Sequence, residues 1–140
     1  MQSNVSELSV DLQPSARIWA VLLHLSAFAG FLLTIPFAPL LISWILWIGK
    51  KSEFPELGPV AREAVNFQIS YSLYFFVFYM FLGVAYLLSF VLIGIPLLIL
   101  LAPVGLILWV ASLIFPVIGA MTVSEGRIYR YPFIFRLWKS

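Results

Sequence analysis

The chain has 140 residues, of which 63% are hydrophobic and 10% are charged, and its formal net charge at pH 7 is +2. A soluble domain carries about 25% charged residues, because it needs a polar shell, and the eight Lys/Arg and six Asp/Glu present here cannot form one. The composition therefore excludes an ordinary soluble domain and predicts a surface that faces lipid. The absence of cysteine excludes disulfides, thiol nucleophiles and cysteine-ligated metals.

The N-terminal segment, residues 1–15, is predicted to be a polar tail. It contains Glu7 and Asp11 and lacks the basic start of a secretory signal peptide. We therefore expect no cleavage, so that the first apolar run stays in the protein. Residues 16–140 are then expected to form a single transmembrane helical domain.

The first apolar run has no charged residue between positions 18 and 49 and is interrupted by Pro36 and Pro39. Because proline lacks an amide proton and has a fixed φ, it breaks a continuing helix. The run therefore predicts a helical hairpin with spans at about 16–34 and 39–50. Both spans are short, since a hydrocarbon core of about 30 Å calls for about 20 helical residues.

A second hairpin is predicted after a loop at residues 50–59, which contains charges, two prolines and a glycine. Pro59 fits the first turn of a helix, where the missing amide proton costs little. The apolar and aromatic run that follows predicts a third span at about 60–92. A turn with glycine and proline then leads to a fourth span at about 97–122.

The number of spans follows from the distribution of basic residues. The uncharged stretch 64–124 would also accommodate three spans by length alone. An even count, however, places all eight Lys/Arg on one side, as the positive-inside rule favours. We predict an all-α polytopic membrane protein of four transmembrane helices in two hairpins, in the bacterial inner membrane, with both termini cytoplasmic.

The C-terminal tail, from residue 127 onward, alternates basic and aromatic side chains, a pattern typical of a segment that lies along the headgroup layer. The bases lie near the ends of apolar runs, which favours anionic headgroups over nucleic acid as their partner. The predicted interfacial anchors are Arg127, Tyr129, Arg130, Tyr131 and Trp138.

A polar stripe is predicted at the start of the third span, because Glu63, Asn66, Ser70 and Tyr74 follow a 3, 4, 4 spacing that puts them on one helix face. Gln68 lies on roughly the opposite face. Polar groups in a bilayer need partners, so the stripe either faces a hydrated groove or joins helices by hydrogen bonds.

Two further features are candidates for function or for packing. His24, the single histidine, lies about two turns into the first span and could relay protons, although a structural histidine is the simpler interpretation. Gly105, Ser112 and Gly119 recur every seven residues and predict a seam of small side chains where another helix can approach closely.

Several segments together resemble a known family. They are His24-Leu25-Ser26 with Gly30, residues 39–44 leading to Lys50-Lys51, residues 63–70, Glu125-Gly126, and residues 129–132. From about residue 16 to 139, the chain resembles an uncharacterised family of small bacterial four-span membrane proteins, a Tic-like domain of unknown function distantly related to the channel-associated subunit of the chloroplast Tic import translocon. The resemblance implies a four-helix membrane fold and no established activity. One departure is that residues 53–56 stand where that family shows an acidic, often Asp-bearing, loop.

The functional prediction follows from the motifs that the sequence lacks. There is no zincin motif, nucleophile elbow or phosphate loop, so we predict a non-enzymatic protein without cofactor or metal. The first hypothesis is an interaction or translocation-related subunit that packs against another copy or another membrane protein. The alternative is a small transporter or channel with a path lined by Glu63, Asn66, Ser70 and His24. An intramembrane enzyme is the third hypothesis, and it lacks the activated nucleophile that it would need.

Overall fold

The computed structural model describes residues 7–9, 11–29 and 38–139. Its regular elements are helices apart from one short pair of strands, and turns and irregular segments connect them. In chain order the elements are β1 (Glu7–Ser9), α1 (Pro14–Leu25), α2 (Ala38–Lys50), α3 (Gly58–Ser89), α4 (Gly94–Ser124) and β2 (Arg127–Tyr129). Single turns of 3-10 helix, Ser26–Phe28 and Pro55–Leu57, follow α1 and precede α3. The predicted all-α class is confirmed.

The two N-terminal helices are short. α1 has 12 residues and begins with a proline in its first turn, and α2 has 13 residues. At 1.5 Å per residue each is about 20 Å long, less than the hydrocarbon core of a bilayer. The predicted first span extended to residue 34, and its last residues, 30–34, lie outside the described residues, as do positions 35–37 of the predicted turn.

The two C-terminal helices are long and antiparallel. α3 and α4 have 32 and 31 residues. Phe67 lies beside Phe115, with ring centroids 6.4 Å apart, and Phe78 lies against Gly105. Because the contacts move back along α4 as they move forward along α3, the two helices run in opposite directions.

The sequence predicted the third and fourth spans at 60–92 and 97–122, and the helices of the structure in this region are Gly58–Ser89 and Gly94–Ser124. α4 continues as one helix through Pro103 and Pro116. The connection between the helices occupies residues 90–93, where Leu92 adopts the left-handed region with a φ of 66°. In the described part of the chain, two helical stretches, Pro55–Ser89 and Gly94–Ser124, have the length and composition to cross a membrane.

The core lies at one end of the hairpin. It is built from α1, the 3-10 turn before α3, the first turns of α3 and the last turns of α4, and its buried apolar residues are Leu12, Ala16, Ala20, Leu23, Phe54, Leu57, Val60, Ala61, Ala64, Val123 and Ile128. A second cluster of Phe67, Tyr71 and Tyr131 adjoins it. We call this region, with α1, α2, residues 58–74 and 111–139, the closed end.

The remaining part of the hairpin, residues 76–110, is called the open half. All of these residues are described, and only Ala85 and Gly94 among them are buried. Leu87 and Ile107, for example, are each 67% exposed. Because soluble proteins rarely leave so large a continuous apolar surface in water, the open half is the part suited to lipid, and the chain associates with membranes.

The two terminal segments meet at the closed end. β1 pairs antiparallel with β2, with Leu8 opposite Ile128. β2 begins three residues after the end of α4, so the N-terminal strand lies near the end of the last helix. The residues after β2, 130–139, run back across α3. From here on, the tail means residues 130–139 only, since residues 127–129 form β2.

Candidate functional site

The predicted polar stripe faces the tail. Asn66 makes two hydrogen bonds with the main chain of Trp138: its Nδ2 donates to the carbonyl oxygen at 3.0 Å, and its Oδ1 accepts from the amide at 2.9 Å. This is the pairing that a neighbouring β-strand would supply, since one donor and one acceptor of the same residue are satisfied together. Asn66 therefore acts as a backbone mimic that fixes the end of the chain.

Two further residues of the stripe continue the contact with the tail. Ser70 Oγ accepts a hydrogen bond from the Phe135 amide at 2.8 Å and donates to the Asn66 carbonyl at 2.7 Å. One turn further along, the Tyr74 hydroxyl donates to the Phe133 carbonyl at 2.5 Å. The partners move back from Trp138 to Phe135 and Phe133 as the stripe moves forward along α3, so the tail runs antiparallel to this helix.

Glu63 lies about one turn before Asn66 on α3 and is the charged member of the stripe. Its carboxylate accepts from the Tyr131 amide at 3.4 Å and from Arg136 Nε at 3.3 Å, and the side chain is largely buried. Arg136 also donates to the Tyr131 carbonyl at 3.3 Å. A buried carboxylate needs such donors to offset the loss of water, and the tail supplies them.

Gln68 lies on a different face of α3 and joins three helices. Its Nε2 donates to Ser26 Oγ at 3.0 Å and to Ser43 Oγ at 2.8 Å, and the two hydroxyls are 2.5 Å apart. Ser26 also donates to the Leu23 carbonyl at 2.7 Å. The two serines were not among the predicted site residues, although Ser26 occurs in the motif with the histidine.

His24 is buried against the tail. Its Nδ1 lies 2.6 Å from the Tyr131 hydroxyl, and the Tyr131 ring stacks on Phe67 at 4.3 Å. Burial raises the pKa of Tyr131 well above its usual range, and the neighbouring Tyr129 and Glu63 raise it further. The phenol therefore stays neutral, and the pair connects α1 with the tail.

The predicted seam of small residues faces other parts of this chain. A Cβ on Gly119 would come within 3.0 Å of both Tyr131 Oη and His24 Nδ1, and a Cβ on Gly105 would come within 2.6 Å of the Phe78 ring. Ser112 donates to a carbonyl of its own helix at 2.7 Å. The two glycines thus make room for contacts within this chain.

The predicted interfacial anchors differ in their surroundings. Tyr131 is 2% exposed, and its ring lies between α1, α3 and α4, where it contacts His24, Phe67 and Gly119. Arg127 and Tyr129 belong to β2, and Arg130 lines a cavity beside α3. Trp138 packs edge-on against Trp47 at 4.8 Å.

The candidate residues are linked to the rest of the chain by hydrogen bonds. The residues of the stripe, together with Gln68 and His24, make hydrogen bonds that hold the tail or the short helices in place. Within the ranges that the structure describes, no three His, Cys, Asp or Glu side chains come together as a metal site would require. The sequence pattern found the stripe but missed Arg136, whose partner lies 73 positions away.

Comparison with known proteins changes the family assignment. The sequence profile of the magnetosome magnetite crystal formation protein family, MamF/MmsF, matches residues 15–138. No curated protein and no solved structure matches the chain. The resemblance to a Tic-like domain was wrong, because the segments on which it rested lie within the region that the magnetosome family profile matches. Since the match covers nearly the whole chain, this protein belongs to the magnetosome magnetite crystal formation family, whose members are magnetosome membrane proteins involved in forming magnetite crystals.

Proposed function

We propose that this chain is a multi-pass, non-enzymatic membrane protein that acts in magnetite crystal formation as a subunit of a membrane protein assembly. The family supplies the process, and the structure supports the mode of action. The observation that carries the proposal is that the polar side chains suited to chemistry bind main-chain groups of the tail instead. A protein built in this way presents a fixed surface.

The proposed topology has four spans, with both termini on the cytoplasmic side of the membrane. Pairing of β1 with β2 supports a common side for the termini. The loop with Lys50 and Lys51 lies at the same closed end, since Lys50 Nζ is 4.5 Å from the Trp19 ring centroid of α1. The opposite tip of the hairpin has no charged residue, as the positive-inside rule favours.

The exposed apolar surface of the open half favours the lipid bilayer as a partner. Its exposed apolar side chains need hydrocarbon or another apolar surface. The proposed protein partner, whether another copy or a second membrane protein, would bind within the bilayer or at the closed end. Affinity capture from native membranes in mild detergent tests this part: recovery of the chain as a monomer without a stoichiometric neighbour would contradict it.

The role in crystal formation is tested by complementation. In a magnetite-forming bacterium that lacks its own member of the family, expression of this chain is expected to restore crystal size, as measured by electron microscopy. A variant with Asn66→Ala, which releases the tail, is expected to restore it less well. If the cells contain the intact chain in their magnetosome membranes and their crystals still have the size seen without it, the proposal is contradicted.

The transporter hypothesis receives less support from the geometry. A path lined by Glu63, Asn66 and Ser70 would need this face of α3 to be open, and the tail covers it. Flux into liposomes that depends on the intact chain and is abolished by Glu63→Gln would reverse this preference.

A further inference from the structure

A cavity of about 440 Å³ opens between the first turns of α3 and the tail. Four of the eight Lys/Arg of the chain line it: Arg62 from α3, and Arg130, Arg136 and Lys139 from the tail. The lining includes one carboxylate, Glu63. Four positive charges and one negative charge give the cavity a formal charge of +3, which exceeds the +2 of the whole chain.

The positive charges are largely uncompensated. The Glu63 carboxylate is engaged by Arg136 and by the Tyr131 amide. The other three bases, Arg62, Arg130 and Lys139, form no ion pair within the residues that the structure describes. Like charges that line one cavity repel each other, so an anion bound between them would stabilise the arrangement.

Specific hydrogen bonds hold the walls of the cavity in place. Asn66, which is buried, fixes Trp138 next to Lys139 through two hydrogen bonds. Glu63 orients the guanidinium of Arg136. The cavity lining therefore depends on the same contacts that dock the tail, and it is present only when the tail is in place.

The position along the molecule indicates the kind of anion. The cavity lies at the polar start of α3, immediately before the uncharged stretch 64–124. Trp138, at its edge, packs with Trp44 and Trp47, and tryptophans concentrate at the level of lipid headgroups. Basic pockets beside membrane helices at this level bind phosphate-containing headgroups, and arginine binds phosphate through paired N–H groups.

We propose that this cavity binds a phosphate group, supplied either by the headgroup of an anionic phospholipid or by free phosphate. Arg62 and Arg130 are the primary ligands because they have no competing ion pair in the described residues. Arg136, held by Glu63, lines a second side. The site rests on the membrane association of the chain and is independent of a role in crystal formation.

The test uses the full chain purified in a neutral detergent. Native mass spectrometry measures retention of phosphatidylglycerol against phosphatidylcholine, and thermal unfolding measures stabilisation by inorganic phosphate against chloride at equal ionic strength. The double variant Arg62→Gln/Arg130→Gln is expected to lower the affinity roughly 25-fold, about fivefold for each base removed. Lys51→Gln, which removes one charge outside the cavity, is the control for the loss of a single charge and is expected to bind as the wild type does.

Selective retention of phosphatidylglycerol that the double variant loses supports the proposal with a lipid as the source. Stabilisation by inorganic phosphate that the double variant loses supports it with free phosphate as the source. Equal binding by wild type and double variant in both arms overturns it, as does an equal loss in Lys51→Gln. If circular dichroism shows that the double variant is unfolded, Lys139→Gln at the exposed end of the tail replaces it, with an expected fivefold loss, and unchanged binding overturns the proposal.

Discussion

The closed end and the open half of the α3–α4 hairpin are built on different physical principles, although the same two helices form both. At the closed end, α3 is surrounded by α1, α2, α4 and the tail, and the polar stripe and Gln68 make hydrogen bonds within the chain. In the open half, apolar side chains point outward and only Ala85 and Gly94 are buried. Internal contacts therefore stabilise one region, whereas the other depends on lipid, and substitutions in the two should differ in effect.

The largest contrast is expected for the residue that holds the end of the tail. Asn66→Ala leaves the amide and the carbonyl of Trp138 without partners, which costs about 3 kcal/mol at a partly buried site. Ser89→Ala, at the far end of the same helix, removes a hydroxyl that bonds only its own helix, and is expected to cost less than about 0.5 kcal/mol.

Unfolding in detergent measures these stabilities, and limited trypsin digestion reports release of the tail by cleavage after Arg130 and Arg136. Equal stability of the two variants, with the tail equally resistant to trypsin, would show that the tail contributes little to the closed end.

A second contrast compares two glycines. Gly119→Ala places a methyl group within 3.0 Å of Tyr131 Oη and His24 Nδ1, and such overpacking is expected to cost about 2 kcal/mol. Gly83→Ala, in the open half, meets no atom within 4 Å and should stabilise the helix by about 0.5 kcal/mol. Thermal unfolding of both variants checks the sign as well as the size of each effect. A stabilising Gly119→Ala would refute the close contact.

A third contrast compares two tyrosines on α3. Tyr74→Phe loses the hydrogen bond to the Phe133 carbonyl and is expected to cost about 1 kcal/mol. Tyr79, which is 60% exposed in the open half, should tolerate the same change with a cost near zero. The difference in denaturation midpoint between the two variants is the measurement. Indistinguishable midpoints would show that the hydrogen bond of Tyr74 does not help to hold the tail.

The smallest effect at neutral pH concerns titration of Tyr131. Burial raises the pKa of Tyr131 well above its usual range in the folded protein, so the folded state keeps the phenolic proton at a pH where the unfolded chain has lost it. The corresponding stability is complete below about pH 10, the ordinary tyrosine pKa, and is lost above it at up to about 1.4 kcal/mol per pH unit.

Melting temperatures between pH 8 and pH 11 test this expectation. The wild type should be flat to about pH 10 and then fall, whereas Tyr131→Phe should start lower and fall less steeply. Parallel curves would indicate that Tyr131 is accessible to solvent.

The sequence predicted the helical class because proline, glycine and charge mark where apolar runs stop, and α2 begins next to Pro39. It also placed Glu63, Asn66, Ser70 and Tyr74 on one face, since helical spacing alone decides that. It did not predict what they bind. The partners are main-chain groups of the tail, about 60 to 70 positions away, and a main-chain group has no signature in the sequence.

The burial of Tyr131 was not predicted for a similar reason. Tyr131 has the side chain of an interfacial anchor, and only the packing of Gly119 and Phe67 around it explains why it is buried. The family resemblance was also wrong. The segments that suggested it include parts of the stripe and of the tail, which are joined by hydrogen bonds in this chain.

Site-directed labelling tests most directly the central claim, that hydrocarbon surrounds the open half while the loop after α2 and the end of the tail lie at the same face of the membrane. Because the chain has no cysteine, single cysteines at Ser52, Lys139, Leu87 and Ile107 can be probed in intact, oriented membranes with a maleimide that cannot cross the bilayer. We expect positions 52 and 139 to react from the same side, and positions 87 and 107 to react only after detergent is added. Reaction of 52 and 139 from opposite sides, or of 87 and 107 without detergent, would contradict the account.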